Sequence, residues 1–156
     1  MKLKVGVYSF TCCEGCVVSF IEMLNKRFEE YSRKIDFVDF RTLRPDKGIH
    51  KTDIAFVEGA ISTKAEVKRL KEIRKKTKKL VAFGSAAVSG WPSDQRNKFN
   101  KKKLEEISGL LKKFNQIGKV SPLKVFVKVD DEINGCPVAE KDIIKKIDGW
   151  LKNAHI

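Results

Sequence analysis

Leu3-Lys4-Val5-Gly6-Val7-Tyr8-Ser9-Phe10 runs directly into Thr11-Cys12-Cys13-Glu14-Gly15-Cys16-Val17, and the way this stretch changes period decides the fold. Leu3, Val5 and Val7 alternate as in a strand, and Gly6 allows close packing. Beyond the cysteines, Val17, Phe20, Ile21, Leu24 and Phe28 recur at helical spacing through about Tyr31. A strand that passes through a short loop into an amphipathic helix is the opening of a β-α-β unit.

The pattern repeats outward. Ile35 to Phe40 reads as a second strand, and Arg44-Pro45-Asp46-Lys47-Gly48 as a turn. Asp53 to Val57 is a buried-type strand that Glu58-Gly59 breaks. A helix follows to about Lys76, with Ser62 or Thr63 as its cap and Glu66 placed to complete a capping box. Leu80 to Phe83 is another strand, closed by Gly84 and a loop holding Gly90-Trp91-Pro92. A helix is predicted from about Lys101 to Phe114, an extended segment from Lys124 to Val129, and a last helix from Ala139 to Leu151. Right-handed crossovers then give an α/β fold with a parallel sheet covered on both faces, in one domain spanning residues 1–156. Ligands of such sheets collect beyond the carboxyl ends of the strands. The loops at Thr11 to Cys16, Glu58 to Ser62, Gly84 to Pro92 and Asn134 to Pro137 should share that rim.

Composition excludes several classes. With 42% hydrophobic and 34% charged residues the chain is neither disordered nor a membrane protein, and no apolar run approaches the roughly 20 residues of a span. The N-terminus has no secretory h-region, so a cytoplasmic location is expected. Lysine and arginine number 33 against 20 acids, for a formal charge of +13. Much of the excess lies from Lys64 to Lys79 and from Lys98 to Lys113, interleaved with acids and leucines as on solvated helix faces. That favours a lysine-rich surface with an acidic partner, and no nucleic-acid motif is present.

Cys12, Cys13, Cys16 and Cys136 are the four cysteines, and three fall within five residues. Such crowding argues against a disulfide framework and for metal or redox chemistry in a reducing compartment. Backbone N–H groups at the start of the following helix should favour anionic sulfur. A 4Fe-4S cluster takes four thiolates, and three near one another plus one distant is a common supply. A thioredoxin-like pair at Cys13 and Cys16, a zinc site, and buried structural cysteines stay open as alternatives.

Cys13-Glu14-Gly15-Cys16 with Val17 to Glu22 resembles the C-x-G-C segment of nickel-iron hydrogenase small subunits. Asp53 to Ile61, Lys79 to Gly84 with Val88 and Arg96-Asn97, and Ile133-Asn134-Gly135-Cys136-Pro137 resemble further segments of that family, in the same order. The likeness is greatest to short, single-cluster subunits of cofactor-reducing and sulfur-reducing hydrogenases, related to the 20 kDa subunit of complex I. It implies a flavodoxin-like three-layer sandwich, one proximal 4Fe-4S cluster facing a nickel-iron large subunit, and electron relay to further electron-transfer subunits. The chain itself would make and break no substrate bond.

One position departs from the pattern. The family carries a ligand cysteine in a G-x-C-A motif where this chain has Gly84-Ser85-Ala86-Ala87. Cys12 offers a replacement, because tandem cysteines are both ligands in the related complex I subunit. The resemblance therefore implies Cys12, Cys13, Cys16 and Cys136 as iron ligands. The alternatives are three-ligand binding completed by Ser85, water or a partner residue; a clusterless interaction module; and a cluster subunit of a complex I-like membrane-bound hydrogenase. Glu58 and Gly59 read equally as shapers of the cluster loop or as cap and turn, and Trp91 and Pro92 equally as interface anchor or loop packing. His50 and His155 are assigned to no metal.

Overall fold

The computed structural model describes residues 2–43, 45 and 48–153. Arg44, Asp46 and Lys47 of the expected turn, and His155, lie outside the described residues. Five parallel strands form the main sheet: β1 (Leu3–Ser9), β2 (Ile35–Phe40), β3 (Thr52–Glu58), β5 (Thr77–Phe83) and β7 (Asp131–Ile133). Their order, β2-β1-β3-β5-β7, is the flavodoxin-like order, in which the chain reverses direction across the sheet after β2. Register runs Val5 to Ile54, Val7 to Phe56, Phe56 to Val81 and Phe83 to Ile133. All the carboxyl ends therefore fall on one edge.

Side-chain alternation divides the core into two layers. Val5, Val7, Ile54, Phe56, Val81 and Phe83 point to one face. They are covered there by α1 (Gly15–Lys26), α2 (Phe28–Lys34) and α7 (Glu140–Asn153). Tyr8, Ala55, Val57, Leu80 and Ala82 point to the other, beneath α3 (Lys64–Lys76) and α4 (Ser85–Ser89). Phe20, fully buried, centres the first layer, with the rings of Phe37, Phe40, Phe56 and Phe83 at 5.0 to 6.1 Å. Edge-to-face pairs of this kind add to simple area burial.

Three expected elements are corrected and one further feature is added. The first helix breaks at Arg27, whose N–H turns back to Met23 O and Leu24 O. The break brings Tyr31 into the core with its hydroxyl on Asp148 and leaves Phe28 64% exposed, off the apolar face assigned to it. The helix expected from Lys101 to Phe114 is two short ones, α5 (Lys101–Glu106) and α6 (Ser108–Lys113), divided at Ile107. Lys124 to Val129 is not a strand, because Pro122 leads into a 3-10 turn at Leu123–Val125. Pairing begins only where Asp130 N–H meets Leu80 O and its carboxylate takes Leu80 N–H. Finally, β4 (Ile61–Thr63) and β6 (Gln116–Ser121) form a small antiparallel sheet not anticipated from sequence.

Candidate cofactor site at the carboxyl rim

The four loops named above do meet. Phe10 N–H donates to Glu58 O, and Thr11 and Ala60 exchange backbone hydrogen bonds of 3.1 and 3.0 Å, which seals the loop after β1 onto the end of β3. Gly59 permits the contact: its φ is 93°, and a Cβ there would lie 2.9 Å from the Phe10 carbonyl carbon. Ser93 Oγ donates to Thr11 O, so the loop carrying Trp91, itself 50% exposed, reaches the same rim.

Cys16 opens α1 and is buried, with its Sγ 4.0 Å from Gly135 O. Gly84 faces it without a side chain, since a Cβ at that position would fall 2.5 Å from Cys16 Sγ. Gly84 N–H to Ile133 O and Ser85 N–H to Gly135 O, both 2.8 Å, stitch the loop after β5 to the loop carrying Cys136. Gly15 completes the surround, its missing Cβ 3.4 Å from Cys13 Sγ and 3.8 Å from Pro137. The loop of Cys136 thus lies against the start of the helix that carries Cys16, with Cys13 and Cys136 themselves exposed. Cys12 is half-buried, its thiol 3.5 Å from Phe10 O.

Ala86 packs with Ala60 and Val120, and the Ser85 hydroxyl donates to Asn134 Oδ1 at 2.8 Å. Thr11 pairs with Ala60, which packs with Ala86. His50 is engaged elsewhere: its ring and its backbone N–H both meet Asp39, which also accepts the Tyr8 hydroxyl.

Glu58, 2% exposed, places its carboxylate on Cys16 N–H at 3.1 Å and Val17 N–H at 3.2 Å. It thus caps the cysteine helix across the sheet rather than the helix that follows it in sequence. Burial raises its own pKa, against the pull of those two N–H groups. The expectation that the helix start would favour thiolates is corrected by the same contact. Glu58 occupies the N–H groups in question, and burial, with its negative charge added, pushes both Cys12 and Cys16 up to about 12. Metal would have to displace their protons. What sequence reading missed is the support around the thiols, namely Thr11, Ser93 and Asn134, whose partners lie 49 to 82 residues away with no local pattern to announce them.

Four thiols are the donor chemistry of an iron-sulfur cube. Among the described residues no group of three or more histidine, cysteine or acidic side chains is set to hold a metal ion. A cube takes its thiolates at separate corners, which suits cysteines spread around a glycine-lined rim.

A protein-family model described as the NADH ubiquinone oxidoreductase 20 Kd subunit matches residues 13–149. Sulfhydrogenase 2 subunit delta of Pyrococcus furiosus is 24% identical over 143 residues, covering 92% of this chain and 60% of its own length. The vhu F420-non-reducing hydrogenase of Methanocaldococcus jannaschii has a subunit that is 28% identical over 166 residues, covering 94% of this chain and 55% of its own length. The chain thus spans little more than half the length of these relatives. A solved chain of an NAD+-reducing [NiFe]-hydrogenase superposes with a TM-score of 0.85 over 98% of this chain and 93% of that one, at 24% identity. At that identity the superposition shows a shared fold. With the family match running from Cys13 to residue 149, which takes in β2, β3, β5 and β7 and the loops of Cys13, Cys16 and Cys136 but not β1 or Cys12, the chain belongs to the family of the 20 Kd subunit of NADH ubiquinone oxidoreductase, and hydrogenase subunits are among its relatives.

Proposed function

We propose that the chain, as one domain, is the electron-transfer small subunit of a cytoplasmic, soluble nickel-iron hydrogenase. It would relay electrons through one 4Fe-4S cluster held by Cys12, Cys13, Cys16 and Cys136, to or from a nickel-iron large subunit. The observation that supports this reading is that the loop of Cys136 lies against the start of the cysteine helix, with Cys16 Sγ 4.0 Å from Gly135 O, although Cys136 is 120 residues from Cys16 in sequence. Cys12, which precedes Cys13 in the same loop, is the fourth ligand in place of a cysteine at the position of Ala86. When bound, the cluster supplies one-electron chemistry. Glu58 holds the start of α1 so that Cys16 keeps its place. The glycines keep side chains away from Cys13 and Cys16, and the buried surroundings of Cys16 limit water on that side. A lysine-rich surface favours the more negative, reduced state and shifts the potential upward.

Ala86 favours a second reading, a clusterless module that holds or regulates a large subunit, because it fills the family's ligand position with packed hydrocarbon. Iron and acid-labile sulfide in anaerobically purified protein separate the two. About four of each per chain are expected for a 4Fe-4S cluster, with loss in Cys12→Ala. Their absence after reconstitution would leave the module.

A further inference from the structure

We propose that α5 and α6 form a docking surface for a partner protein whose contact face is acidic and apolar. The segment from Gln95 to Phe126 lies outside the main sheet; Asn97 on Val120 closes it on itself, and it is tied to the rest through the preceding Ser93 on Thr11, the β4–β6 pair and Leu123 in the core. No side chain of either helix is buried. Leu110 is 57% and Phe114 60% exposed, with Phe99 and Leu104 exposed nearby, while Ile107 and Leu111 are half-buried beside them. Large apolar side chains gathered in so short a segment mark a contact surface rather than ordinary scatter.

Charge identifies the occupant. The segment carries nine lysines and arginines against Glu105 and Glu106. The cations lie within the apolar patch, Lys103 Nζ 5.6 Å from the Phe99 ring and Lys113 Nζ 5.9 Å from that of Phe114. A second copy would bring the same excess of positive charge against itself, in a chain already at +13. Each helix has six residues, about 9 Å in length, too short for the sustained apolar stripe of a helix lying in a bilayer. A protein face presenting carboxylates around an apolar contact satisfies both features. The surface does not depend on the cluster, so iron-free protein would dock equally.

Hydroxyl-radical footprinting tests this on the hetero-oligomer purified from its source through a tag on this chain, beside the free chain. Leu110 and Phe114 are expected to oxidise several-fold more slowly in the complex. A photo-crosslinker at Leu110 should join a partner segment rich in aspartate and glutamate. Lys112→Glu combined with Lys113→Glu should weaken that partner's binding about tenfold while leaving iron content unchanged. Equal oxidation in complex and free chain would overturn the proposal, as would crosslinks only to another copy. Protection by phosphatidylserine vesicles without protection in the complex would overturn it in favour of a membrane contact.

Discussion

Gly84 is where a single atom decides whether the rim can work. Its φ of 90° already disfavours any side chain, and the Cβ of alanine would meet Cys16 Sγ at 2.5 Å. Gly84→Ala should destabilise the chain by about 1–3 kcal/mol and lower iron retention after reconstitution; unchanged melting and unchanged iron would show that Cys16 can move aside. Asp39 makes a separate residue-scale prediction. Burial pushes its carboxyl up, but the Tyr8 hydroxyl and the His50 ring and N–H outweigh burial and hold it below its ordinary value. A carboxylate lowered on folding stabilises above its unfolded pKa and loses that contribution as pH falls through the folded one. Asp39→Asn should therefore cost about 1.5–3 kcal/mol at pH 7, and the gap should close in urea titrations as pH drops below 4. At this scale the thiols were legible because cysteine spacing is written in the chain. The need for glycine opposite Cys16 was not, since 68 residues separate them and Gly84 by itself reads only as a turn.

Glu66 shows how one element can anchor another. Thr63 and Glu66 make the capping box of α3, with Glu66 N–H on Thr63 Oγ1 and the Glu66 carboxylate accepting Thr63 and Ser62 N–H. The same carboxylate accepts the Thr11 hydroxyl at 2.8 Å, so the helix start also holds the loop that precedes the cysteines. Glu66→Ala should cost about 1–2 kcal/mol, and hydrogen exchange should quicken at Thr11 as well as at Ser62 and Thr63. Faster exchange at the cap alone would mean that the Ala60 pairing holds the loop unaided. The capping box was readable because its residues are three apart; the tie to Thr11 joins residues 55 apart. Elements with short or polar sequences escaped for a related reason. Asp-Glu-Ile of β7 has neither the length nor the alternation of a strand, and it pairs because Asp130 locks onto Leu80. The break at Arg27 was equally hidden, since Phe28 continues the helical spacing and only the pull of Tyr31 toward Asp148 and the core reveals that the axis turns.

Across the whole molecule, the two-layer core was written in the strands, because Ile54-Ala55-Phe56-Val57 and Leu80-Val81-Ala82-Phe83 are apolar on both faces as only a doubly covered sheet requires. Strand order was not, since crossover direction depends on which neighbour each strand finds. Charge is the remaining property at this scale. A formal +13 on 156 residues means that compaction brings like charges together, and a highly charged compact state is weakened by self-repulsion. Ion pairs such as Lys26–Glu140, Arg27–Glu30 and Lys34–Glu30 work against this, but they lie at the surface, where each contributes little. Salt screens both, with a Debye length of about 30 Å at 0.01 M and about 10 Å at 0.1 M. The repulsion sums over many distant pairs and the attraction over a few close ones, so screening should remove more of the former. Raising sodium chloride from low to moderate concentration should therefore increase the melting temperature of the free chain by about 2–4 °C, the size of a 1 kcal/mol gain for a chain of this length. A fall would place the close ion pairs, rather than the net charge, in control of the molecule's electrostatic stability.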